Sequence, residues 1–397
     1  MIRVGFILTN TGNGWLGGVN YLSNLLHAIF NVPDRQIEPV LIVSSSTPED
    51  VLRAFPRCRV LRTELIDREY LRWRLARKLC EWLLGRDILI EKFLRSNGIK
   101  LLSHSGCLGR RAKIPTIGWI PDFQHKRVPS FFQPEELVER DRVYRRITKQ
   151  CTTVLLSSVD AQNDLSKFDV RAVYYSRVLH FVAGFSGGQI PILSEEVLRK
   201  QYDIVGPYFY LPNQFWIHKN HRVVIDALEL IKSTGQKITV ICTGHTKDRR
   251  WPEYFDELMS FVVIKNVVDC FRVIGLVPYE EIASLMKYSV AVINPSLFEG
   301  WSTTVEETKS LGLTIIASDI PVHREQNPER AVFFDPNSAI GLADALRNVL
   351  NCYAQAEESI FQNQAKVKLQ ERFAEFGNNY QTIVLETLSR ALKHKKT

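Results

Sequence analysis

Asn294-Pro-Ser-Leu-Phe-Glu-Gly-Trp-Ser-Thr-Thr-Val-Glu-Glu-Thr-Lys-Ser-Leu-Gly312 follows the apolar run Val290-Ala-Val-Ile293 and reads as a buried strand ending at Asn294, a loop, and a helix starting near Ser302 or Thr303. A helix N-terminus at the carboxyl end of a strand is an anion site, because its unpaired amides and its dipole point at the ligand. Gly300 lets that backbone approach a phosphate closely, and Gly300, Trp301, Ser302 and Thr303 carry the amides. Glu299 stands just before the helix and Glu307 one turn inside it, so both carboxylates can face one cleft. Carboxylates recognise paired hydroxyls by accepting their hydrogen bonds, which suits one to a sugar and the other to a ribose diol. Glu306 has a plainer reading, as the partner of Thr303 in a Thr-x-x-Glu capping box.

Outward from this segment, strand and helix signals alternate through the whole chain, the pattern of two doubly wound parallel sheets. Strands are expected near 2–9, 38–45, 100–105, 114–120 and 152–157 in the first half, with helices near 19–30, 68–95, 134–149 and 159–168. In the second half strands near 207–212, 237–243, 270–274, 289–294, 313–317 and 331–334 alternate with helices near 219–233, 252–264, 278–287, 303–311 and 338–350. Between them, glycine and proline density marks a linker. The expected division is a first domain over 1–185, a linker over 186–206, a second domain over 207–375, and a terminal helix over 376–397 that packs back on domain one. Two open α/β domains imply a crevice faced by the carboxyl ends of both sets of strands, and the site is expected there.

With 397 residues, 45% apolar and 24% charged, the composition is that of a soluble globular protein of two domains. The opening Met1-Ile-Arg-Val-Gly-Phe-Ile-Leu-Thr9 reads as a first buried strand, not a signal peptide, and no run approaches the about 18 apolar residues of a membrane span. Seven scattered cysteines without a C-x-x-C pair fit thiols in a reducing cytosol better than disulfides or structural zinc. The 51 Lys and Arg exceed the 43 Asp and Glu by eight, and the excess clusters between Arg53 and Arg95. That field suits nucleic acid, an anionic membrane surface or a phosphate-bearing substrate.

The spacing of Glu299 and Glu307, with seven residues between, resembles the retaining glycosyltransferases of family 4, which have the GT-B architecture. The resemblance extends through Gly275-Leu-Val-Pro-Tyr-Glu-Glu-Ile282 and Ala317-Ser-Asp-Ile-Pro-Val-His-Arg-Glu325. It implies that Glu299 contacts the donor sugar and Glu307 the ribose of a nucleotide diphosphate sugar. A second piece is Leu211-Pro-Asn-Gln-Phe-Trp-Ile-His-Lys-Asn-His221, where the family holds the donor diphosphate with an arginine and, five residues later, a lysine. Lys219 matches the lysine, whereas Gln214 occupies the arginine position. A third is Ile117-Gly-Trp-Ile-Pro-Asp-Phe-Gln-His125. Here the family's histidine–aspartate pair becomes Pro121-Asp122, with His125 as a substitute for the histidine and an ordinary turn cap as the competing reading of Asp122.

Gly12-Asn-Gly-Trp-Leu-Gly17 matches G-x-G-x-x-G, but the second strand ends Val43-Ser-Ser-Ser46 without the acidic residue a dinucleotide ribose needs. The resemblance gives Gly17 and Gly18 another use, in a loop against the donor phosphates and acceptor. His218 and His221 lack a third ligand and the chain has no Asp-x-Asp, so a metal-independent site without cofactor is expected, its phosphate charge met by Lys219 and helix amides. Tyr70-Leu-Arg-Trp-Arg-Leu-Ala-Arg-Lys-Leu-Cys-Glu-Trp-Leu-Leu84 suits either an anionic membrane surface, through residues 68–84, or an ordinary domain-one helix with leucines inside.

The expected activity is retaining transfer of a hexose-type sugar to a glycan or lipid-linked acceptor in polysaccharide biosynthesis. The expected location is the cytoplasm, at the inner face of the membrane. A nucleotide-sugar 2-epimerase of the same architecture is the alternative. A non-catalytic nucleic-acid-binding protein is the third reading, and no nucleic-acid motif accompanies it.

Overall fold

The computed structural model describes residues 1–8, 16–67, 70–104, 107–184 and 192–393. Two units divide the chain: Met1–Phe123, Pro134–Val182 and Glu371–Thr397 form the first, Gln124–Gln133 and Ala183–Gln370 the second. Each is built on one parallel sheet.

The first sheet comprises β1 (Ile2–Leu8), β2 (Ile37–Ser44), β3 (Arg59–Thr63), β4 (Ile99–Ser103), β5 (Thr116–Ile120), β6 (Thr153–Leu156) and β7 (Ser176–Val178), in the order β3-β2-β1-β4-β5-β6-β7. The second comprises β8 (Phe209–Leu211), β9 (Val240–Thr243), β10 (Phe271–Gly275), β11 (Val292–Asn294), β12 (Ile315–Ser318) and β13 (Ala331–Phe334), in the order β10-β9-β8-β11-β12-β13. Winding reverses between β1 and β4 and between β8 and β11, and these switch points are where open α/β sheets bind ligands.

Alternate residues of a strand face opposite sides, and here both sides are dry. Phe209, Leu211, Val240, Cys242 and Ile293 lie in one core with the helices His221–Ser233 and Ala339–Cys352. Tyr208, Tyr210, Ile241 and Val292 lie in the other, with the helices Tyr279–Lys287 and Thr303–Leu311. Burial on both faces is why these strands read as continuous apolar runs.

The sheet edges and joints depart from the expectations. β3, Arg-Val-Leu-Arg-Thr, and the three-residue β7 are edge strands, half exposed and without a run to mark them. The helix expected over 68–95 is two, Leu71–Leu84 and Ile88–Ser96, because Gly85 takes a left-handed φ of 69° and Asp87 caps the second by accepting from the Ile90 amide at 3.1 Å. The linker expected over 186–206 lies partly outside the described residues, and the rest carries the helix Glu195–Gln201, whose Leu198 is buried with Tyr208 in the second unit. The helix Gln355–Lys393 contributes residues up to Gln370 to the second unit and later ones to the first. In the first unit Tyr380 is buried, the Gln381 side chain accepts from the Gln36 amide at 2.7 Å, and Arg390 donates to the Thr152 carbonyl at 3.1 Å.

Candidate functional site

The loops leaving β8 and β11 meet at the switch point of the second sheet and are tied together. The Leu297 amide donates to the His218 carbonyl at 2.8 Å, and the Asn220 side chain donates to the carbonyls of Pro295 and Pro336 at 3.1 and 2.8 Å. Asn220 has a left-handed φ of 55°, which asparagine tolerates better than most residues. Loop-to-loop pairing carries one charged contact: Lys219 Nζ donates to Glu299 Oε1 at 2.6 Å, with the two side chains 14% and 10% exposed.

Glu299 is held from several sides. Ser296 Oγ lies 2.6 Å from its Oε1 and 2.8 Å from Asn294 Oδ1. Burial pushes the Glu299 carboxyl up, but the Lys219 charge and hydrogen bond prevail and hold it below the ordinary carboxylate range. His218 and His221 are held neutral, each lowered to about 3, by burial first and the Lys219 charge second. The His221 ring stacks on Phe215, with centroids 4.5 Å apart. Among the described residues no group of three or more His, Cys, Asp or Glu is placed to hold a metal ion.

The helix Thr303–Leu311 is capped by Ser302, whose Oγ accepts from the Val305 amide at 3.3 Å. The capping-box reading of Glu306 is therefore corrected: with Ser302 as cap, the reciprocal position is Val305, and buried Glu306 instead accepts from Gln326 at 3.0 Å and pairs with Lys309 at 3.3 Å. Gln326 also brackets Ser302, accepting from its amide and donating to its carbonyl, both at 3.0 Å. Asn294 Nδ2 donates to Ser302 Oγ at 2.7 Å, and His323 Nδ1 lies 2.8 Å from the Ser318 carbonyl, which fixes the proton on that nitrogen. Gly300 and Thr303 are half-buried, Trp301 buried.

Glu307 lies one turn inside the helix and is 6% exposed. Its Oε1 accepts from the Tyr279 hydroxyl at 3.0 Å, and burial raises the carboxyl to about 7 against the opposing effect of that bond. Tyr279 was not among the residues expected from sequence. Neither was Arg250, in the loop after β9, whose guanidinium lies 5.7 Å from the Trp216 ring centroid and 5.1 Å from that of Phe132, and 3.3 Å from Asp248. The sequence signal was a basic pair, Arg249-Arg250, just past the carboxyl end of a strand next to the switch.

Gln214 accepts from the His245 amide at 2.6 Å and so joins the β8 and β9 loops. Gly244 completes that joint: its φ is 146°, and a Cβ there would stand 2.4 Å from the Asn213 carbonyl oxygen. Gly244→Ala is expected to cost about 2 kcal/mol or more, read as a lowered urea midpoint, because both the conformation and the space exclude a side chain. A wild-type midpoint would mean that the loops can separate without loss.

The remaining expected residues lie apart in the chain's division. Asp122 follows β5 in the first unit, half-buried near Tyr144, whose hydroxyl is raised by burial first and by the Asp122 charge second. His125 is buried in the second unit, on the short helix Gln124–Arg127. Gly17 and Gly18 belong to the first turn of the helix Leu16–Phe30 rather than to a loop, while residues 9–15 of the glycine-rich stretch lie outside the described residues.

Residues 196–368 match the family model described as glycosyl transferases group 1. The O-antigen chain mannosyltransferase RfbU of Salmonella typhimurium is 23% identical over 225 residues, 55% of this chain and 58% of RfbU, so the chain aligns with little more than half of that relative. Anabaena HepE, solved with UDP and glucose, superposes with a TM-score of 0.64 at 14% identity, over 98% of this chain and 100% of HepE. A glycosyltransferase from Rickettsia africae superposes with a TM-score of 0.65 at 14% identity, over 99% of both chains. The two sheets thus have the GT-B fold, and residues 196–368 form a glycosyl transferases group 1 domain.

Proposed function

We propose that the chain is a metal-independent glycosyltransferase that moves a hexose-type sugar from a nucleotide diphosphate sugar to a glycan or lipid-linked acceptor, with retention of configuration. The observation that carries this reading is the Lys219–Glu299 pair beside the N-terminus of the helix Thr303–Leu311, at the β8/β11 switch, with buried Glu307 one turn further on.

Lys219 has three donors and gives one to Glu299, leaving others for diphosphate oxygens. The first-turn amides add their dipole, and a cation and dipole fixed in advance favour the charge that develops on a leaving diphosphate. Arg250 supplies a second cation on the same loop edge while Gln214 is engaged with His245. Glu299, ionised at neutral pH, orients the donor sugar; Glu307 accepts from the ribose hydroxyls. Asp122 and His125 serve the acceptor side, and Gly17 and Gly18 the donor phosphates. The work is done in the cytoplasm at the inner face of the membrane, in polysaccharide assembly.

The test is calorimetric titration with UDP, GDP, ADP and dTDP, with and without EDTA, followed by product analysis by NMR. One nucleotide should bind equally in both buffers, and the glycosylated product should keep the donor's anomeric configuration. Loss of binding in EDTA overturns metal independence, and no binding by any nucleotide overturns the donor site. An epimerised nucleotide sugar formed without acceptor would assign the fold to a 2-epimerase instead.

A further inference from the structure

The helix Leu71–Leu84 in the first unit is turned inside out. None of its residues is buried, and its large apolar side chains are on the outside: Leu71 61%, Leu75 58%, Leu79 54%, Trp82 79% and Leu83 61% exposed. At about 100° per residue these five fall within roughly 120° of arc, an apolar stripe that also holds exposed Arg72, paired with Glu64 at 3.0 Å, in its first turn.

The opposite side is fastened by polar bonds. Arg77 donates to Asp87 at 2.6 Å and to the Leu65 carbonyl at 2.9 Å, and Glu81 receives Arg146 at 2.5 and 2.6 Å. These contacts fix which face looks outward, so the stripe is not a core face awaiting a small rotation.

Cations border the stripe. Exposed Lys78 flanks it along the helix. At its C-terminal end the Arg111 amide donates to the Gly85 carbonyl at 2.9 Å, which sets the exposed pair Arg110-Arg111 at the end of the helix. An apolar stripe with an exposed tryptophan and a basic border is the pattern of a helix lying in a bilayer interface, with the stripe among the acyl chains and the cations at anionic headgroups. Lys78 and the Arg110-Arg111 pair put positive charge beside the exposed apolar side chains, and that combination is met by anionic headgroups over acyl chains.

We infer that the helix Leu71–Leu84 docks the first unit on an anionic lipid bilayer. This goes beyond sugar transfer and does not depend on it, since every residue of the stripe lies outside the candidate site.

The test is flotation of the full chain with vesicles of phosphatidylcholine, with and without phosphatidylglycerol, at low and high salt. Wild type should float with the anionic vesicles, less so in high salt. Leu75→Glu/Leu79→Glu should lower the bound fraction at least about tenfold by placing charge in the apolar layer. Lys78→Glu/Arg110→Glu should lose about fivefold per cation on anionic vesicles only. All substituted positions are exposed, so unchanged thermal unfolding is expected and is checked first. Wild type that stays with the free protein on anionic vesicles overturns the inference. So does a wild-type dimer in sedimentation velocity that Leu75→Glu/Leu79→Glu converts to monomer without any vesicle binding, because the stripe then covers a second copy.

Discussion

Lys219→Met is expected to slow sugar transfer at saturating donor by about 10²–10³-fold, the usual loss when a preorganised group that stabilises developing charge is removed. The same substitution strands Glu299, whose neighbours His218 and His323 are held neutral by burial and cannot replace the lost charge. Removing one partner of a buried pair costs about 3 kcal/mol, because the remaining charge has neither water nor a counter-ion. The double variant Lys219→Met/Glu299→Gln separates the two effects. Glutamine keeps an oxygen that can accept from Ser296 but carries no charge, so the urea midpoint should return most of the way to wild type while transfer stays slow. Recovery of both stability and rate would remove Lys219 from the chemistry and leave it a structural cation. Under the proposed function, Glu299→Ala alone should mainly slow transfer, since Lys219 then keeps its charge for the donor diphosphate.

The parts of this arrangement that were legible in the sequence are those in which strand, loop and helix are consecutive. Apolar runs buried on both faces announced β8 and β11, and the break into Glu299-Gly300 and Lys219 followed directly. What the sequence did not reveal depends on partners far along the chain. Tyr279 reaches Glu307 across 28 positions, Gln326 brackets Ser302 across 24, and Gln214 meets His245 across 31. No periodicity encodes such pairs. Other misses were of one or two residues. The cap falls on Ser302 rather than Thr303, which turns a capping box into a tertiary network. Likewise, the helical pattern of 68–95 continues through Gly85, so only the left-handed backbone there reveals the break. The spacing of Leu71, Leu75, Leu79 and Trp82 suited either a core face or an exposed one, and the structure turns these side chains to solvent.

Glu307→Gln is expected to be more stable than wild type at pH 8 by up to about 3 kcal/mol, and to lose that advantage as pH falls toward 4. Burial sets the Glu307 carboxyl at about 7 in the folded chain against 4.5 as an ordinary glutamate, and each unit of difference is worth about 1.4 kcal/mol. A raised folded value means that the folded chain binds the extra proton between those pH values, so stability falls as pH rises from 4.5 through 7 and stays lower above. Glutamine has no charge to bury and still offers an oxygen to the Tyr279 hydroxyl, so the variant escapes this loss. The cost is expected to appear in binding. An ionised carboxylate accepts from both ribose hydroxyls, and hydrogen bonds to a charged group are worth about 1.5–3 kcal/mol, so donor affinity should fall by about tenfold or more in Glu307→Gln. For the same reason wild-type affinity should rise between pH 6 and pH 8, as the folded carboxyl gives up its proton, while the affinity of the variant stays level. Urea unfolding and calorimetric titration at pH 4, 6 and 8 check both halves. A variant less stable than wild type at pH 8 would contradict the raised carboxyl, and wild-type donor affinity in the variant would move the ribose away from Glu307. A carboxylate held near its titration point in an apolar setting costs stability at neutral pH, and under the proposed function the ribose hydroxyls would offset that cost by adding to the hydrogen bond from Tyr279.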